Sequence, residues 1–384
     1  MTNYPTYKLG EIIDKVPIEF KVKQKEYLPK GKFPVVDQGQ DLIGGFVDDE
    51  SLLVKTELPV IVFGDHTKAK KFIDFPFVVG ADGTKIIKPK KEFFIEPKLF
   101  YWFLHCVKFP DKGYARHFQY LLKSDIALPP LATQCAIVTR IETLFAELDK
   151  AVQHLRTAQQ QLKTYRQAVL NHWLNNDDGK WEMVKLGEVL QKIEAGKSFR
   201  CNEKVPALHE KGIVKISAVT WGEFMEDECK TIINEDLYNP QFAIHKGDLL
   251  ISRANTIQLV GNCVLVRKEP KRNIMLSDKV LRLVIRDNVD SDFILYSLRT
   301  SKSRTQIQNM STGNQDSMRN IGQDRIKKIE IPLPPLTEQQ LIVQEIESRL
   351  SQATASETYI ENALQQAEAL RQSILKKAFS GELV

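Results

Sequence analysis

The sequence lacks the long hydrophobic runs and the leader pattern that direct a chain into or across a membrane. No apolar stretch among the 384 residues approaches the ~18 residues that a transmembrane helix requires. Residues 1–4 do not begin the basic, apolar and small-residue pattern of a signal peptide. We therefore expect a soluble protein with no membrane partner.

Cysteine is scarce, and the charges are nearly balanced. The five cysteines are scattered without a C-x-x-C pair, which argues against a disulfide framework and a zinc site. They are typical of reduced thiols, so we expect a cytoplasmic location. The 54 Lys+Arg against 49 Asp+Glu give a formal net charge of +5, which permits a polyanionic partner without requiring one.

Motifs of common catalytic sites are also missing. There is no G-x-x-x-x-G-K-[ST] phosphate loop and no G-x-G-x-x-G, because Gly44 and Gly45 stand alone. The Asn-Pro-Pro-aromatic motif of amino-methyltransferases does not occur, and the seven histidines show no metal-ligand spacing. Isolated Ser, His and Asp residues are expected in any chain of this length and do not argue for a triad. We expect no catalytic residues, no metal site and no cofactor bound by this chain.

The chain does contain an internal repeat, in which each half ends in the same proline-introduced segment. A Leu-Pro-Pro-Leu motif at 128–131 recurs at 333–336, a shift of 205 residues. The same shift superimposes the following segments without a gap, so that Gln134 falls on Gln339. The sequences between the matched segments diverge, which indicates a shared framework that carries two separately specialised modules.

Both proline-introduced segments are predicted to be long helices. From Ile141 and from Ile346 the seam positions follow a 4-3-4-3 spacing, which is typical of a coiled coil. Because the preceding prolines cannot lie inside a helix, we expect Thr133 and Thr337 to be the N-caps. The first helix would end near Asn175 and measure about 60 Å at about 1.5 Å per residue.

The short connection 176–185 predicts how these helices pair. It obliges the second variable domain to begin near the end of the first helix, so the second helix must run back antiparallel. We predict an α+β fold with two mixed α/β domains separated by an intramolecular coiled coil, in a pseudo-twofold, circular arrangement. The predicted segments are 1–126 (first domain), 127–178 (central helix), 179–330 (second domain) and 331–384 (C-terminal helix). A homodimeric coiled coil is the alternative, which two matched copies in one chain disfavour.

Both variable domains are predicted to contain several short strands. The strand-like runs are 33–36, 58–63 and 75–79 in the first domain, and 212–219, 248–252, 261–266 and 280–285 in the second. A weak alignment joins 58–67 with 248–256 and 82–87 with 278–283. In both domains a strand therefore ends in a loop of polar and charged residues.

A rigid strand followed by a polar loop suits contact with DNA base edges. Arg253 could pair bidentately with guanine and Asn255 with adenine, while lysine clusters suit phosphates. The candidate DNA-binding residues of the first domain are Asp65, His66, Thr67, Lys68, Lys70, Lys71, Lys85, Tyr114, Arg116, His117 and Gln119. Those of the second are Arg253, Asn255, Thr256, Lys279, Asn314, Gln315 and Arg319. A solvated charged surface is the alternative for any one cluster.

Several motifs resemble the specificity subunits of type I restriction-modification systems. They are P-L-P-P-L-T-E-Q at 332–339, L-R-Q-S-I-L-K-K-A-F-S-G-E-L at 370–383, Lys-Leu-Gly-Glu at 8–11 and 185–188, and the loop 251–256. The likeness covers essentially the whole chain. It is looser in the first half, where Gly-Asp-His-Thr replaces the Ser-Arg-Ala-Asn-Thr of the second.

The resemblance implies that each variable domain is a target recognition domain for one half of an asymmetric, split DNA site. It implies that the helices set the spacing and dock two modification (methyltransferase) subunits and, in a larger complex, restriction (translocase) subunits. S-adenosylmethionine, ATP and Mg²⁺ would then be bound by those partners. Two alternatives stay open: a DNA nuclease or methyltransferase with an unrecognised site, and a coiled-coil protein adaptor that does not bind DNA.

Overall fold

The computed structural model describes residues 4–80, 82–110 and 116–383, which form two compact units. Unit 1 comprises Met1–Thr157 with Ile360–Val384, and unit 2 comprises Ala158–Tyr359. Each unit takes part of both long helices, so this division differs from the predicted segment boundaries, which stay a prediction. None of the described helices combines the length and the apolarity that a bilayer span demands.

The first variable domain alternates short strands with short helices before the first long helix. Its elements are β1 (Thr6–Lys8), α1 (Leu9–Ile12), β2 (Ile13–Lys15), β3 (Phe33–Val36), β4 (Gly45–Val47), β5 (Val60–Gly64), β6 (Lys70–Ile73), β7 (Val78–Val79), β8 (Thr84–Pro89), α2 (Pro97–Cys106), α3 (Phe118–Leu121) and β9 (Asp125–Ala127), followed by the long α4 (Leu131–Trp173).

The second variable domain repeats this succession before the second long helix. Its elements are β10 (Glu182–Lys185), α5 (Leu186–Val189), β11 (Leu190–Ala195), β12 (Cys201–Asn202), β13 (Lys211–Val214), β14 (Cys229–Ile232), β15 (Leu249–Ser252), β16 (Ala254–Asn255), β17 (Cys263–Leu265), β18 (Asn273–Met275), β19 (Val280–Ile285), α6 (Ser291–Arg299), α7 (Ser301–Met310), β20 (Thr312–Gln315), β21 (Met318–Asn320), α8 (Gln323–Ile326) and β22 (Glu330–Leu333), followed by the long α9 (Leu336–Ser380).

The two variable domains share one sheet plan although their sequences diverge. The order is β2-β8-β5-β6 in unit 1 and β11-β19-β15-β17 in unit 2, and every neighbouring pair is antiparallel. The strand registers agree as well. Gly64 at the end of β5 lies opposite Thr84 of β8, and Ser252 at the end of β15 lies opposite Val280 of β19. The central strands β5 and β15 are buried along their whole length. This shared register supports the alignment of the two strands, but it places Thr67 at the position of Asn255 and not of Thr256, so the alignment of the terminal threonines is wrong by one residue.

Further sheets also match between the domains. In unit 1 the order is β4-β3-β7 with β3 parallel to β7, and in unit 2 it is β12-β14-β13-β18 with β13 parallel to β18. The pairs β1-β9 and β10-β22 bring the two ends of each domain together. The mixed α/β domains predicted from the sequence are therefore confirmed.

Most predicted strands fit with small shifts in their ends. The run 58–63 becomes β5 (Val60–Gly64), and 261–266 becomes β17 (Cys263–Leu265). The run 75–79 is wrong before Val78, because only Val78–Val79 form β7. Those at 33–36 and 280–285 are confirmed at both ends, and that at 248–252 becomes β15, one residue shorter. The strand predicted at 212–219 is wrong beyond Val214, because Ile216–Val219 form a 3₁₀ turn instead.

The repeated Lys-Leu-Gly-Glu motif closes each domain in the same way. The N–H of Gly10 donates to the carbonyl of Leu122, and the N–H of Gly187 donates to the carbonyl of Lys327, each at 3.0 Å. A Cβ on either glycine would lie 3.2 Å from that carbonyl oxygen. Close backbone approach therefore favours glycine at both positions.

Both long helices begin directly after the proline pairs, and the predicted N-caps are wrong. Thr133 and Thr337 lie inside the first turn of α4 and α9. The carbonyls of Pro130 and Pro335 each accept the N–H four residues further on, at 3.0 Å. Proline suits this position because its fixed φ is close to helical and its missing N–H has no partner in the helix.

A buried glutamine side chain fastens each helix start to a neighbouring short helix. Gln134 and Gln339 are each 2% exposed. Their Oε1 atoms accept the N–H of Glu96 at 2.8 Å and of Asp290 at 2.9 Å, which are the N-cap residues of α2 and α6. Their Nε2 atoms donate to the proline carbonyl five residues back, at 2.9 and 2.8 Å. We call these two side chains the glutamine clamps.

In unit 1 the two long helices pack antiparallel. Ile141 and Phe145 of α4 form one apolar cluster with Ile374 of α9. The Arg371 guanidinium lies 4.5 Å from the centroid of the Phe145 ring and pairs with Asp149. Guanidinium stacking on an aromatic ring stabilises such a polar seam position.

In unit 2 the helices pack in the same sense. Arg166 donates to Glu357 at 2.7 Å and to Thr354 at 3.1 Å, and Arg349 lies 5.7 Å from the centroid of the Trp173 ring. Every predicted seam position of both helices is buried or half-buried. The predicted antiparallel pairing of the helices is therefore confirmed.

We predict that Gln339→Ala lowers the free energy of unfolding by about 1–3 kcal/mol, because it leaves the N–H of Asp290 without its buried acceptor. Urea unfolding followed by circular dichroism measures the change. Gln340→Ala, exposed on the same turn, is the matched control and should stay within about 0.5 kcal/mol of the wild type. Equal effects of the two substitutions would contradict the clamp.

Candidate nucleic-acid interface

In unit 2 two of the predicted loops meet along a small sheet. Strand β16, just after β15, pairs with β21 of the β20–β21 hairpin, and Asn255 lies opposite Arg319. The N–H of Ile257 donates to the carbonyl of Asp316 in the hairpin turn at 2.8 Å. The structure thereby brings together the predicted residues Arg253, Asn255, Thr256, Asn314, Gln315 and Arg319.

The hairpin presents some of these side chains and uses another as a support. Asn314 and Gln315 are exposed on β20. The Arg319 guanidinium donates to the carbonyls of Ser311 and Gly313 at 2.9 and 3.0 Å, and its side chain is 20% exposed. Arg319 therefore stiffens the hairpin, while the two amides are available to a ligand.

Arg253 and Asn255 lie half-buried at the end of β15. The Nδ2 of Asn255 makes a single long contact, 3.4 Å to the hydroxyl of Thr220, while its Oδ1 accepts the N–H of Thr256 at 2.8 Å. The Nε of Arg253 is buried without a hydrogen-bond partner in the described part of the chain. The Nδ2 of Asn255 therefore keeps hydrogen-bonding capacity for a base edge, whereas the Nε of Arg253 is inaccessible, so a base contact of Arg253 would use its terminal nitrogens.

In unit 1 the loop after β5 is tied to the turn before β8 and to α3. The N–H of Asp65 donates to the carbonyl of Gly83, and its Oδ1 accepts the N–H of Phe118, both at 2.8 Å. Its carbonyl accepts the N–H of His117, also at 2.8 Å. Asp65 is only 5% exposed and His117 is fully buried. The structure brings these two residues together, but their burial opposes the direct contact with DNA that we predicted.

Two of the predicted phosphate-binding lysines are also turned away from solvent. Lys71 is 4% exposed, with its Nζ 3.5 Å from Oδ1 of Asp37. Lys70 is half-buried, with its Nζ 5.4 Å from the centroid of the Phe109 ring. Burial lowers the pKa of both lysines. The alternation along β6 directs Lys71 into the domain, so its predicted phosphate contact has no support in the structure.

The other predicted basic residues remain at the ends of strands. Lys68 is half-buried with a φ of 62°, and Lys85 is half-buried on β8. Lys279 pairs with Asp278 at 2.9 Å, with its side chain 47% exposed. Their contact with phosphates stays a prediction.

The rest of the predicted set is partly exposed. Arg116 and Gln119 are exposed, and the Nε2 of Gln119 donates to the carbonyl of Arg116 at 3.2 Å. His66 and Thr256 are half-buried. Tyr114 lies outside the described residues. Thr67, Arg116 and Gln119 are therefore the exposed candidates among the described residues of unit 1.

Sequence reasoning missed two residues that support the loops from the second sheet. After β3, the carbonyl of Gln38 accepts the hydroxyl of Thr67, and its Oε1 is buried without a hydrogen-bond partner within the described ranges. After β13, the hydroxyl of Thr220 accepts a hydrogen bond from the Nδ2 of Asn255, and the carbonyl of Thr220 accepts one from the Nδ2 of Asn262. Thr67 and Asn255 are equivalent in register. No local motif marks these supports, because only the packing of two sheets brings them near the loops.

We predict that Asp65→Ala lowers the free energy of unfolding by about 1–3 kcal/mol, because the buried N–H of Phe118 loses its acceptor. Thermal or urea unfolding measures the loss, and Asp82→Ala, exposed in the neighbouring turn, should change it by less than about 0.5 kcal/mol. Unchanged stability combined with altered DNA affinity would assign Asp65 to a direct contact instead.

Comparison with known proteins identifies sequences and structures that are similar to this chain. Residues 178–366 match the family model described as the type I restriction modification DNA specificity domain. The EcoKI specificity subunit of Escherichia coli K12 is 29% identical over 271 residues, which cover 67% of this chain and 58% of that protein. The EcoEI specificity subunit of Escherichia coli is 31% identical over 200 residues, covering 49% of this chain and 33% of that protein.

The extent of the match differs among relatives. The chain spans less than two thirds of the length of EcoKI and EcoEI subunits. The EcoR124I/EcoR124II specificity subunit is 23% identical over 352 residues, which cover 88% of this chain and 84% of that protein.

Solved structures match the fold along the whole chain. A chain from a type I R-M system, in work on complex assembly and conformational transition, has a TM-score of 0.73 at 21% identity. That match covers 100% of this chain and 99% of the other. The HsdS subunit from Thermoanaerobacter tengcongensis has a TM-score of 0.58 at 19% identity, covering 99% and 97%. The two domains of one plan and the two long paired helices thus agree with the fold of these solved structures along the whole chain, and residues 178–366 match the type I restriction modification DNA specificity domain.

Proposed function

We propose that this chain is the DNA-reading subunit of a type I restriction-modification complex, in which each variable domain contacts one half of a split DNA sequence. The observation that carries the proposal is that equivalent central strands end in unlike loops. At the register position of the half-buried Arg253 of unit 2, unit 1 has the buried Asp65, and the exposed candidates of unit 1 include Thr67, Arg116 and Gln119. Because the two loops present different groups, the two half-sites should differ in sequence, and the whole site should be asymmetric.

In this proposal the long helices set the distance between the two half-sites. They are continuous over 43 and 45 residues, which corresponds to about 65 Å at about 1.5 Å per residue. One turn of B-DNA is about 34 Å, so such a frame spans somewhat less than two turns. A bipartite site with a spacer that the protein does not read is the expected target.

Two weakly binding domains gain affinity from being held on one chain. Few of the candidate residues can contact bases, since several are buried or paired, so each domain alone should bind DNA mainly through phosphates. When one domain is bound to its half-site, the other half-site lies close to the second domain, which raises the effective concentration of that half-site. The spacing then becomes part of the specificity.

The helices also offer surfaces for partner subunits. Side chains at equivalent positions are apolar and exposed: Leu131 and Leu336 are 49% and 37% exposed, and Tyr165 and Leu370 are 39% and 51% exposed. Exposed apolar residues at repeated positions favour docking of two copies of one partner. We assign these partners as two modification (methyltransferase) subunits, with restriction subunits joining the larger complex.

The chemistry is assigned to those partners and not to this chain. S-adenosylmethionine, ATP and Mg²⁺ would be bound by the modification and restriction subunits, so this chain is a non-catalytic reader. The five cysteines are free thiols, which is compatible with work in the reducing cytoplasm.

We predict that replacing residues 181–328 by the corresponding domain of a relative changes one half of the recognised sequence and leaves the other half unchanged. Sequencing of methylated bases in cells that also carry the modification partner identifies both halves.

Wild-type affinity for DNA should fall steeply as salt rises, because phosphate contacts release counterions. A change in both halves would contradict independent reading, and affinity without salt dependence would favour the adaptor alternative.

We predict that Arg253→Ala weakens binding to the cognate site by about 1–3 kcal/mol and relaxes preference at one base pair, if its guanidinium is bidentate to guanine. Competition binding with single-base variants of the site gives both quantities. Arg286→Ala, an arginine of the same domain whose Nε donates to the carbonyl of Leu190, should leave sequence preference unchanged. Uniform weakening across all sequences would assign Arg253 to a phosphate.

A further inference from the structure

A cavity of about 330 Å³ lies in unit 2 beside the loop that follows β15. Arg299 at the end of α6 and Arg304 on α7 line it, together with Asn262, Gly261 and Gln167 of α4. Neither its arginines nor its other lining residues belong to the candidate DNA-binding set. The cavity therefore needs an explanation of its own.

The two arginines bring charge into this cavity without a compensating carboxylate. The Nη2 of each guanidinium donates to two backbone carbonyls, at distances between 2.6 and 3.0 Å. Across the described residues, neither Arg299 nor Arg304 forms an ion pair. Neutral carbonyls satisfy hydrogen bonds but do not cancel charge, so two positive charges face the cavity unbalanced.

Arg304 keeps an unused donor beside the cavity. Its Nη1 is buried and has no hydrogen-bond partner within the described part of the protein. Gly261, with a φ of 73°, forms the adjacent wall, and a Cβ there would lie 2.5 Å from Cγ2 of Ile307 and 3.5 Å from that Nη1. Close packing against Ile307 and the positive φ therefore require glycine at this wall.

The cavity contains no hidden counter-charge. Burial raises the pKa of the Cys263 thiol, so the thiol stays neutral at pH 7. Burial also lowers the pKa of Arg304, the direction that a bound anion would reverse. The cavity is therefore electrostatically incomplete without a negatively charged occupant.

The walls of the cavity are held in place by hydrogen bonds. The Nδ2 of Asn262 donates to the carbonyl of Thr220 at 2.8 Å, and the Nε2 of Gln167 donates to the carbonyl of Arg299 at 3.2 Å. Thr220 also accepts from Asn255 of the recognition loop. The cavity is thus preorganised and shares one wall residue with the loop.

We propose that this cavity binds a phosphate group through Arg299 and Arg304. Guanidinium groups match phosphate oxygens in geometry as well as in charge, and two of them converge here. The phosphate could belong to the DNA backbone or to a free phosphorylated small molecule. Only the first source rests on the proposed function, since affinity for phosphate itself does not require DNA binding.

Titration of the full-length chain with inorganic pyrophosphate, without DNA, tests the site. Isothermal titration calorimetry at ionic strength matched with sodium chloride should show saturable binding of one pyrophosphate per chain. Arg304→Gln should weaken binding by about tenfold or more, because a charge-assisted contact is lost. Arg286→Gln removes an arginine elsewhere in the same domain and should leave the affinity unchanged.

A second variant tests the same site independently, in case the first variant does not fold. Gln167→Glu keeps a helix-forming residue on α4 but places a carboxylate at the cavity, so it should also weaken pyrophosphate binding. Circular dichroism checks that each variant is folded. The proposal is overturned if the wild type shows no saturable binding, or if folded Gln167→Glu and Arg304→Gln bind as tightly as the wild type.

A DNA competition experiment separates the two sources of phosphate. If the DNA backbone occupies the cavity, saturating pyrophosphate should lower DNA affinity by more than sodium chloride of equal ionic strength does. If the occupant is a free small molecule, DNA affinity should be equal in the two salts. Saturable pyrophosphate binding by a chain with no affinity for DNA would support the cavity and refute the proposed function.

Discussion

Each variable domain is joined to its long helix by one buried glutamine side chain, and the position of the loops depends on that joint. Gln134 and Gln339 fix the first turns of α2 and α6 to the first turns of α4 and α9. Helix α2 packs on β6 and helix α6 on β17, each the neighbour of a loop-bearing central strand. Each clamp is buried and hydrogen-bonded through both its amide oxygen and its amide nitrogen, so its loss would leave polar groups unsatisfied and loosen the connection from helix to loop.

The framework could be predicted from the sequence because its determinants are local. Proline pairs, heptad spacing and the repeated Lys-Leu-Gly-Glu motif each restrict the backbone near their own positions. The candidate site could be predicted only in part. Asp65 and Lys71 are polar in sequence but buried in the fold, because neighbouring segments supply the partners that make their burial tolerable. The Thr133 N-cap is wrong because the helix begins two residues earlier, directly after the proline pair, so that Thr133 lies inside the first turn.

Positions that match in both halves are those where backbones approach closely. Gly10 and Gly187 each leave a carbonyl oxygen too near for a comfortable Cβ, and the clamps fill equivalent buried sites. The loops after β5 and β15 have no such restriction on their outward side chains. One sheet plan can therefore carry loops with different side chains. Close packing restricts which residues fit in the framework, whereas solvent-exposed loop positions accept many residue types.

The β20–β21 hairpin attaches to the domain through a short pairing with β16 and through a hydrogen bond from the N–H of Ile257 to the carbonyl of Asp316 at its turn. Its side chains on β20 are exposed, and its turn at Asp316 and Ser317 is free of core packing. Residues could be inserted or deleted at this turn without disturbing the buried sheet. A lineage carrying this chain could thus acquire a new recognition preference through small changes in hairpin length, while the fold and its helical frame stay intact.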